Sequence, residues 1–173
     1  MIYVAVCGPD PCSPEVAERS EEVGRLLARA GAVLVCGGLG GSMEAAARGA
    51  ATEGGTVMGI LPGANRLGAN MYLTLSIPTG MGEARNTLIV RSSDALIAVA
   101  GEFGTLSEIA FALKTGVPVV GLGTWELSKG GARIDAFPQV TTPEEAVREA
   151  LRLASEDRAL RAQRGFAGEA LQR

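Results

Sequence analysis

Short apolar runs and longer amphipathic stretches take turns along the chain. IYVAVC (2–7), AVLVC (32–36), DALIAVAG (94–101) and VPVVGLG (117–123) are continuously apolar, the pattern of strands buried on both faces. GGTVMGILPG (54–63) holds another strand with its turns, and MYLTLSI (71–77) a short one. Helical spacing runs through 13–31, about 42–53, about 81–92, TLSEIAFALKTG (105–116) and TTPEEAVREALRLAS (141–155). Ser13 suits an N-cap, Pro14 the first helical position and Gly31 the stop after the first helix. Thr142, Pro143 and Glu145 form a capping-box start for the last helix.

Strands alternating with helices predict an α/β fold: a single-domain, doubly wound, Rossmann-like and mostly parallel sheet with helices on both faces. Such sheets bind ligands beyond the carboxyl ends of their strands. Residues 1–155 form the expected nucleotide- or phosphate-binding domain, and 156–173 a polar tail, either frayed or a short helix on a neighbour. The stretch 123–137 reads as a loop with no assigned form. IAFAL (109–113) is apolar all round and predicts burial on more than one side, hence self-association.

Composition narrows the chemistry. With 173 residues, one domain with a full core is expected. The net charge of −3 argues against a nucleic-acid partner gripped by a broad basic surface, yet leaves room for a small anion in a pocket. No apolar run reaches the length of a membrane helix, and the short start MIYVAVCG reads as a strand, not a signal peptide. Cys7, Cys12 and Cys36 lack metal-type spacing, so no metal site is expected and a reducing cytoplasm is the simplest setting. Cys7 and Cys36 both end strands, where small buried thiols usually serve packing. The chain has no histidine, which excludes Ser-His-Asp catalysis and HExxH zinc sites.

Two glycine-rich turns carry the candidate chemistry. VLVCGGLGGSMEAAARG (33–49) joins a strand to a helix through Gly37, Gly38, Gly40 and Gly41. Glycine admits positive φ and close approach of a ligand to the backbone, and the first amides of a helix attract anions. Gly40, Gly41, Ser42 and Met43 are therefore expected phosphate donors. The second turn, VAGEFGTLSEIAFAL (99–113), offers Gly101, Gly104 and Thr105. Arg85 and Asn86, in PTGMGEARNTLIV (78–90), begin a helix at the same sheet edge.

Together these stretches and PVVGLGTW (118–125) resemble the family once labelled "possible lysine decarboxylase", which includes the Lonely Guy (LOG) nucleoside 5′-monophosphate phosphoribohydrolases. The match is nearer a sister group related to DNA-processing protein A that includes a molybdenum-cofactor carrier. The hydrolase pattern is PGGxGTxxE with an Arg-Lys pair; the chain keeps Gly101, Gly104, Thr105, Glu108 and Arg85. It has Ala100, Glu102 and Asn86 in place of the family's proline, glycine and lysine, and Cys36 and Glu44 where the hydrolases usually carry glycines. By resemblance Glu108 is the catalytic carboxylate and Arg85 holds the phosphate or nucleotide.

The resemblance implies no required cofactor, a small phosphorylated ligand that is either a nucleotide or a molybdopterin-type molecule, and a homodimer or homotetramer. It leaves open whether the chain only binds that ligand or hydrolyses it to a free base and ribose 5-phosphate. Glu108 has a second reading: Thr105-Leu106-Ser107-Glu108 is itself a capping box. Glu102 either turns to solvent or selects a less anionic or larger ligand. Arg66 or Asn70, in the 61–72 loop, could close over the ligand, and Trp125 reads as core or interface packing. Decarboxylation lacks support, because neither lysine (Lys114, Lys129) has the setting of a Schiff base.

Overall fold

The computed structural model describes residues 1–170; residues 171–173, the end of the expected polar tail, lie outside the described residues. The main sheet is parallel throughout and contains β1 (Tyr3–Cys7), β2 (Val33–Cys36), β3 (Val57–Leu61), β4 (Leu75–Pro78), β5 (Ala95–Val99), β6 (Val119–Leu122) and a two-residue edge strand, Gln139–Val140. Its order is β4-β3-β2-β1-β5-β6 followed by the edge strand. The chain starts in the middle, builds outward to β4, then returns to the other side of β1. The expected doubly wound α/β fold is the observed one.

The continuous apolar runs become strands with no exposed face. Along β1, Val4 and Val6 point to one layer and Ala5 and Cys7 to the other, and all four are buried. Helices α1 (Pro14–Arg29), α2 (Gly41–Thr52) and α5 (Pro143–Ala170) cover the first face. The second face is covered by α3 (Asn86–Arg91) and α4 (Phe103–Thr115). The helix signals operate as expected at α1 and α5. Ser13 Oγ accepts from Val16 N at 3.3 Å, and Gly31 follows α1 with φ +70°. Thr142 Oγ1 accepts from Glu145 N, and Glu145 Oε2 accepts from Thr142 N, both at 3.3 Å.

Three elements differ from expectation. The helix expected over 81–92 is a single 3-10 turn, Gly82–Arg85, followed by the short α3; Gly82 has φ +56°, which an unbroken α-helix does not allow. The loop 123–137 contains an antiparallel hairpin, Leu127–Lys129 with Ala132–Ile134, turned by Gly130 and Gly131, both at positive φ. The last helix continues past 155 to Ala170, and Arg158 Nη1 donates to the Met1 carbonyl at 2.5 Å. In the described chain, IAFAL buries Ile109 and Ala112 but leaves Ala110 exposed.

Candidate functional site

The return of the chain across β1 leaves β1 and β5 as neighbours whose following helices lie on opposite faces, which opens a crevice at their carboxyl ends. Gly8 permits close packing there: a Cβ on it would lie 2.6 Å from Ser42 Oγ and 2.7 Å from the Val99 carbonyl oxygen. A cavity of about 610 Å³ opens at this edge. Its walls come from the ends of β1 and β2 (Cys7, Gly37), the 3-10 turn (Glu83, Arg85) and the start of α4 (Phe103, Gly104, Thr105, Glu108).

The second glycine-rich turn keeps its amides open. Ala100 (φ +50°) and Gly101 (φ +130°) turn the chain sharply out of β5. Glu102 is the N-cap residue of α4 but makes no side-chain cap, and Phe103, Gly104 and Thr105 occupy the first turn. Among the described residues, no acceptor meets the amides of these three residues. They carry the positive end of a 13-residue helix to the cavity wall.

This start decides between the two readings of Glu108 and removes the capping box. Thr105 is the third helical residue rather than the cap, so Glu108 makes no bond back to it and is free for the cavity. The hydroxyl of Ser107 instead donates to the Gly104 carbonyl at 2.6 Å.

The first glycine-rich turn departs from expectation. Ser42 N donates to the Pro9 carbonyl at 3.0 Å, so this amide is already satisfied, and the Ser42 hydroxyl is buried. Gly40 and Gly41 lie under the β1–α1 loop: a Cβ on Gly41 would lie 2.5 Å from Pro9 O, and one on Gly40 3.2 Å from the Asp10 carboxylate. Gly38 packs on Leu61 and Leu73, away from the cavity. Of the first-turn residues expected at the site, Gly37 and Met43 line the cavity, while Gly38, Gly40, Gly41 and Ser42 support it from behind. From the second turn Gly104 and Thr105 reach it, and Gly101 shapes the bend beneath them.

Arg85 and Glu108 form the floor. Arg85 is only 8% exposed, and its guanidinium lies against Gly37, where a Cβ would meet Nη2 at 2.5 Å. Its Nη1 donates to Asn86 Oδ1, whereas its buried Nε–H has no partner among the described residues. Asn86, where the hydrolases have lysine, thus orients Arg85, and its Nδ2 donates to Ser107 Oγ at 3.3 Å. Glu108 is 7% exposed. Burial lifts its carboxyl from 4.5 to about 7, against the opposing pull of the Cys7 thiol, which donates to it, and of the Arg85 charge. The Cys7 thiol is held well above its ordinary value by burial and by Glu108, and burial pushes Cys36 to about 11. Both thiols are therefore protonated packing groups near pH 7.

The remaining candidates lie elsewhere. Arg66 donates to the Ser76 hydroxyl and carbonyl, and Asn70 to the Leu39 carbonyl; both pin the 61–72 loop to the sheet edge, and neither lines the cavity. Glu102 is exposed and also off the cavity wall, so its charge faces solvent. Trp125 packs on Phe103, with ring centroids 5.7 Å apart, and donates from Nε1 to the Glu102 carbonyl at 3.3 Å.

Sequence reasoning missed Phe103, Asp10 and Glu83. Phe103 had a readable cue, an aromatic between the glycines of GEFGT, while Asp10 and Glu83 reach the cavity only through folding. The walls carry three carboxyl groups (Asp10, Glu83, Glu108) and one guanidinium, which disfavours polyanions. Among the described residues, no group of three or more cysteine or carboxylate side chains could hold a metal ion, and no helix is long and apolar enough to cross a membrane.

Known proteins resemble this chain in sequence or in fold. An uncharacterised protein of Archaeoglobus fulgidus is 46% identical over 147 residues, covering 85% of this chain and 93% of that one. The molybdenum cofactor binding protein of the phototrophic bacterium Rippkaea orientalis is 33% identical, with a TM-score of 0.73 over 85% of this chain and 92% of its own. The molybdenum cofactor carrier protein of Chlamydomonas reinhardtii is 28% identical, with a TM-score of 0.77 over 90% of this chain and 99% of its own. The model of one family matches residues 1–151, and the chain belongs to that family, the SLOG cluster4 family.

Proposed function

We infer that the chain binds a small monophosphorylated ligand of the pterin or nucleotide kind at this cavity and holds it as a carrier does. The observation that carries this is Arg85: an almost fully buried guanidinium with an unpartnered Nε–H, on the same cavity as the open amides of α4. A buried cation and free amides without an acceptor are costly unless an anion completes them. Likeness to a molybdenum cofactor carrier and a molybdenum cofactor binding protein supports a phosphorylated pterin as the ligand class. The carboxyl-rich remainder of the wall favours one phosphate over three.

The test is calorimetric titration with a pterin monophosphate and with AMP. Dissociation constants in the micromolar range are expected, and no binding below millimolar would sink the reading. Arg85→Ala should weaken both ligands by roughly ten- to a hundredfold, as loss of a charged hydrogen-bond donor does.

A second reading, phosphoribohydrolase activity, draws on one observation: a cavity carboxyl titrating at about 7 beside Arg85. In that reaction water adds to C1′ as the glycosidic C–N bond breaks. The bond's electron pair goes to the base, which takes up a proton, and ionised Glu108 accepts the proton from water. Chromatography of AMP incubated with the protein distinguishes the two. Free adenine that disappears in Glu108→Gln identifies the hydrolase, and intact AMP identifies the binder.

A further inference from the structure

Phe103 is the aromatic that the anion site leaves unexplained. It is 76% exposed although it is the first residue of a helix that buries Thr105, Glu108, Ile109 and Ala112. A single exposed apolar side chain is ordinary on a protein surface. Three features set this one apart. It lies on the cavity wall. Its own amide is one of the open donors of α4. Its ring is propped by Trp125 at an interplanar angle of 37°.

Trp125 is itself held at two points. Its indole N–H donates to the carbonyl of Glu102, and its own carbonyl accepts from Gln139 Nε2 at 2.9 Å. The aromatic pair is thus anchored on one side and leaves Phe103 exposed.

We propose that Phe103, backed by Trp125, is the specificity-determining platform of the site, on which the planar heterocycle of the ligand stacks while the α4 amides and Arg85 hold its phosphate. This rests on the binding role proposed above and adds the recognition of the ring. Stacking on an aromatic face suits any flat, electron-poor heterocycle and tolerates variation in its edge groups. The platform therefore selects the class, a flat heterocycle on a phosphorylated arm, and rejects phosphorylated molecules with no ring system.

The experiment titrates wild type, Phe103→Ala, Phe103→Leu and Phe103→Trp with a pterin monophosphate, AMP and ribose 5-phosphate. Trp125 is the chain's single tryptophan, so its fluorescence reports on the pair directly. Wild type should bind both ring-bearing ligands about tenfold or more tightly than ribose 5-phosphate, with a change in Trp125 emission for the ring-bearing ligands only. Phe103→Ala and Phe103→Leu should lose roughly that factor for the pterin and AMP and keep the ribose 5-phosphate affinity. Phe103→Trp, which adds a second indole, is followed by calorimetry and should retain the preference.

Equal affinity of wild type for all three ligands overturns the platform, as does an unchanged preference in Phe103→Ala. A uniform loss for all three in that variant also overturns it, because it shows that Phe103 shapes the anion site instead. Binding of ribose 5-phosphate alone refutes the platform and leaves the anion site standing. If wild type binds none of the three, the anion site itself is wrong and the platform falls with it.

Discussion

Among the described residues, Glu108 and Arg85 are the two buried charged ones, and they share one cavity. Burial holds the Glu108 proton on up to about pH 7 in the folded chain, whereas the unfolded chain releases it near an ordinary glutamate value. Between those values the native state binds the extra proton, so stability falls as pH rises and stays lower above 7. The shift corresponds to about 3 kcal/mol at most. Glu108→Gln should therefore melt several degrees above wild type at pH 8 and nearly with it at pH 4, as thermal unfolding at the two pH values would show. Equal melting points at pH 8 would mean that Glu108 is better solvated than its burial implies. Arg85→Ala tests the opposite charge. It removes the guanidinium from the wall and should weaken phosphate binding by the same roughly ten- to a hundredfold while the fold persists, as calorimetry and circular dichroism would show.

At the scale of elements, close backbone contacts decide what each helix can do. Helices α1 and α2 cross at Gly24 and Gly49, where a Cβ would lie 2.0 Å from the Ala46 carbonyl and 1.9 Å from the Glu21 carbonyl. Gly49→Ala is expected to wedge the pair apart and cost about 1–3 kcal/mol in urea unfolding. Gly101→Ala differs in kind. Gly101 has φ +130°, and a Cβ would meet the Thr105 side chain at 2.8 Å, so the substitution strains the bend that presents the α4 amides. It should lower both stability and phosphate affinity, measured by calorimetry on the folded fraction. The α1 and α5 caps were legible because capping needs only three or four consecutive residues. The same logic offered a cap for α4 at the wrong place: Thr105-Leu106-Ser107-Glu108 satisfies the pattern, but the sharp exit from β5 puts the cap at Glu102, three residues earlier.

At the scale of the whole molecule, the sheet order makes the site. The end of β1, the 3-10 turn and the start of α4 are far apart in the chain and meet because β5 returns beside β1. A ligand that completes the buried Arg85 and the open amides binds the native state alone. At a concentration a hundred times its dissociation constant, it should stabilise the chain by about 2.7 kcal/mol. A pterin monophosphate should accordingly raise the melting temperature of wild type by several degrees and that of Arg85→Ala by half as much or less, as differential scanning fluorimetry can check.

The order of apolar runs and helical spacings determined the fold class, since strands buried on both faces leave little alternative to a parallel sheet between helix layers. It also brought out Arg85 and the α4 turn, because residues near strand ends and helix starts are marked by glycine and by local spacing, whereas Glu108 stood out only through resemblance to the hydrolase pattern. Which glycine-rich turn stays open was not local information. The two turns look alike in sequence, but the carbonyl of Pro9 and the carboxylate of Asp10, distant in the chain, fold over the start of α2 and satisfy or cover it. Among the described residues, nothing comparable meets the first amides of α4. Only tertiary packing decides whether a backbone donor meets a protein acceptor or is left for a ligand.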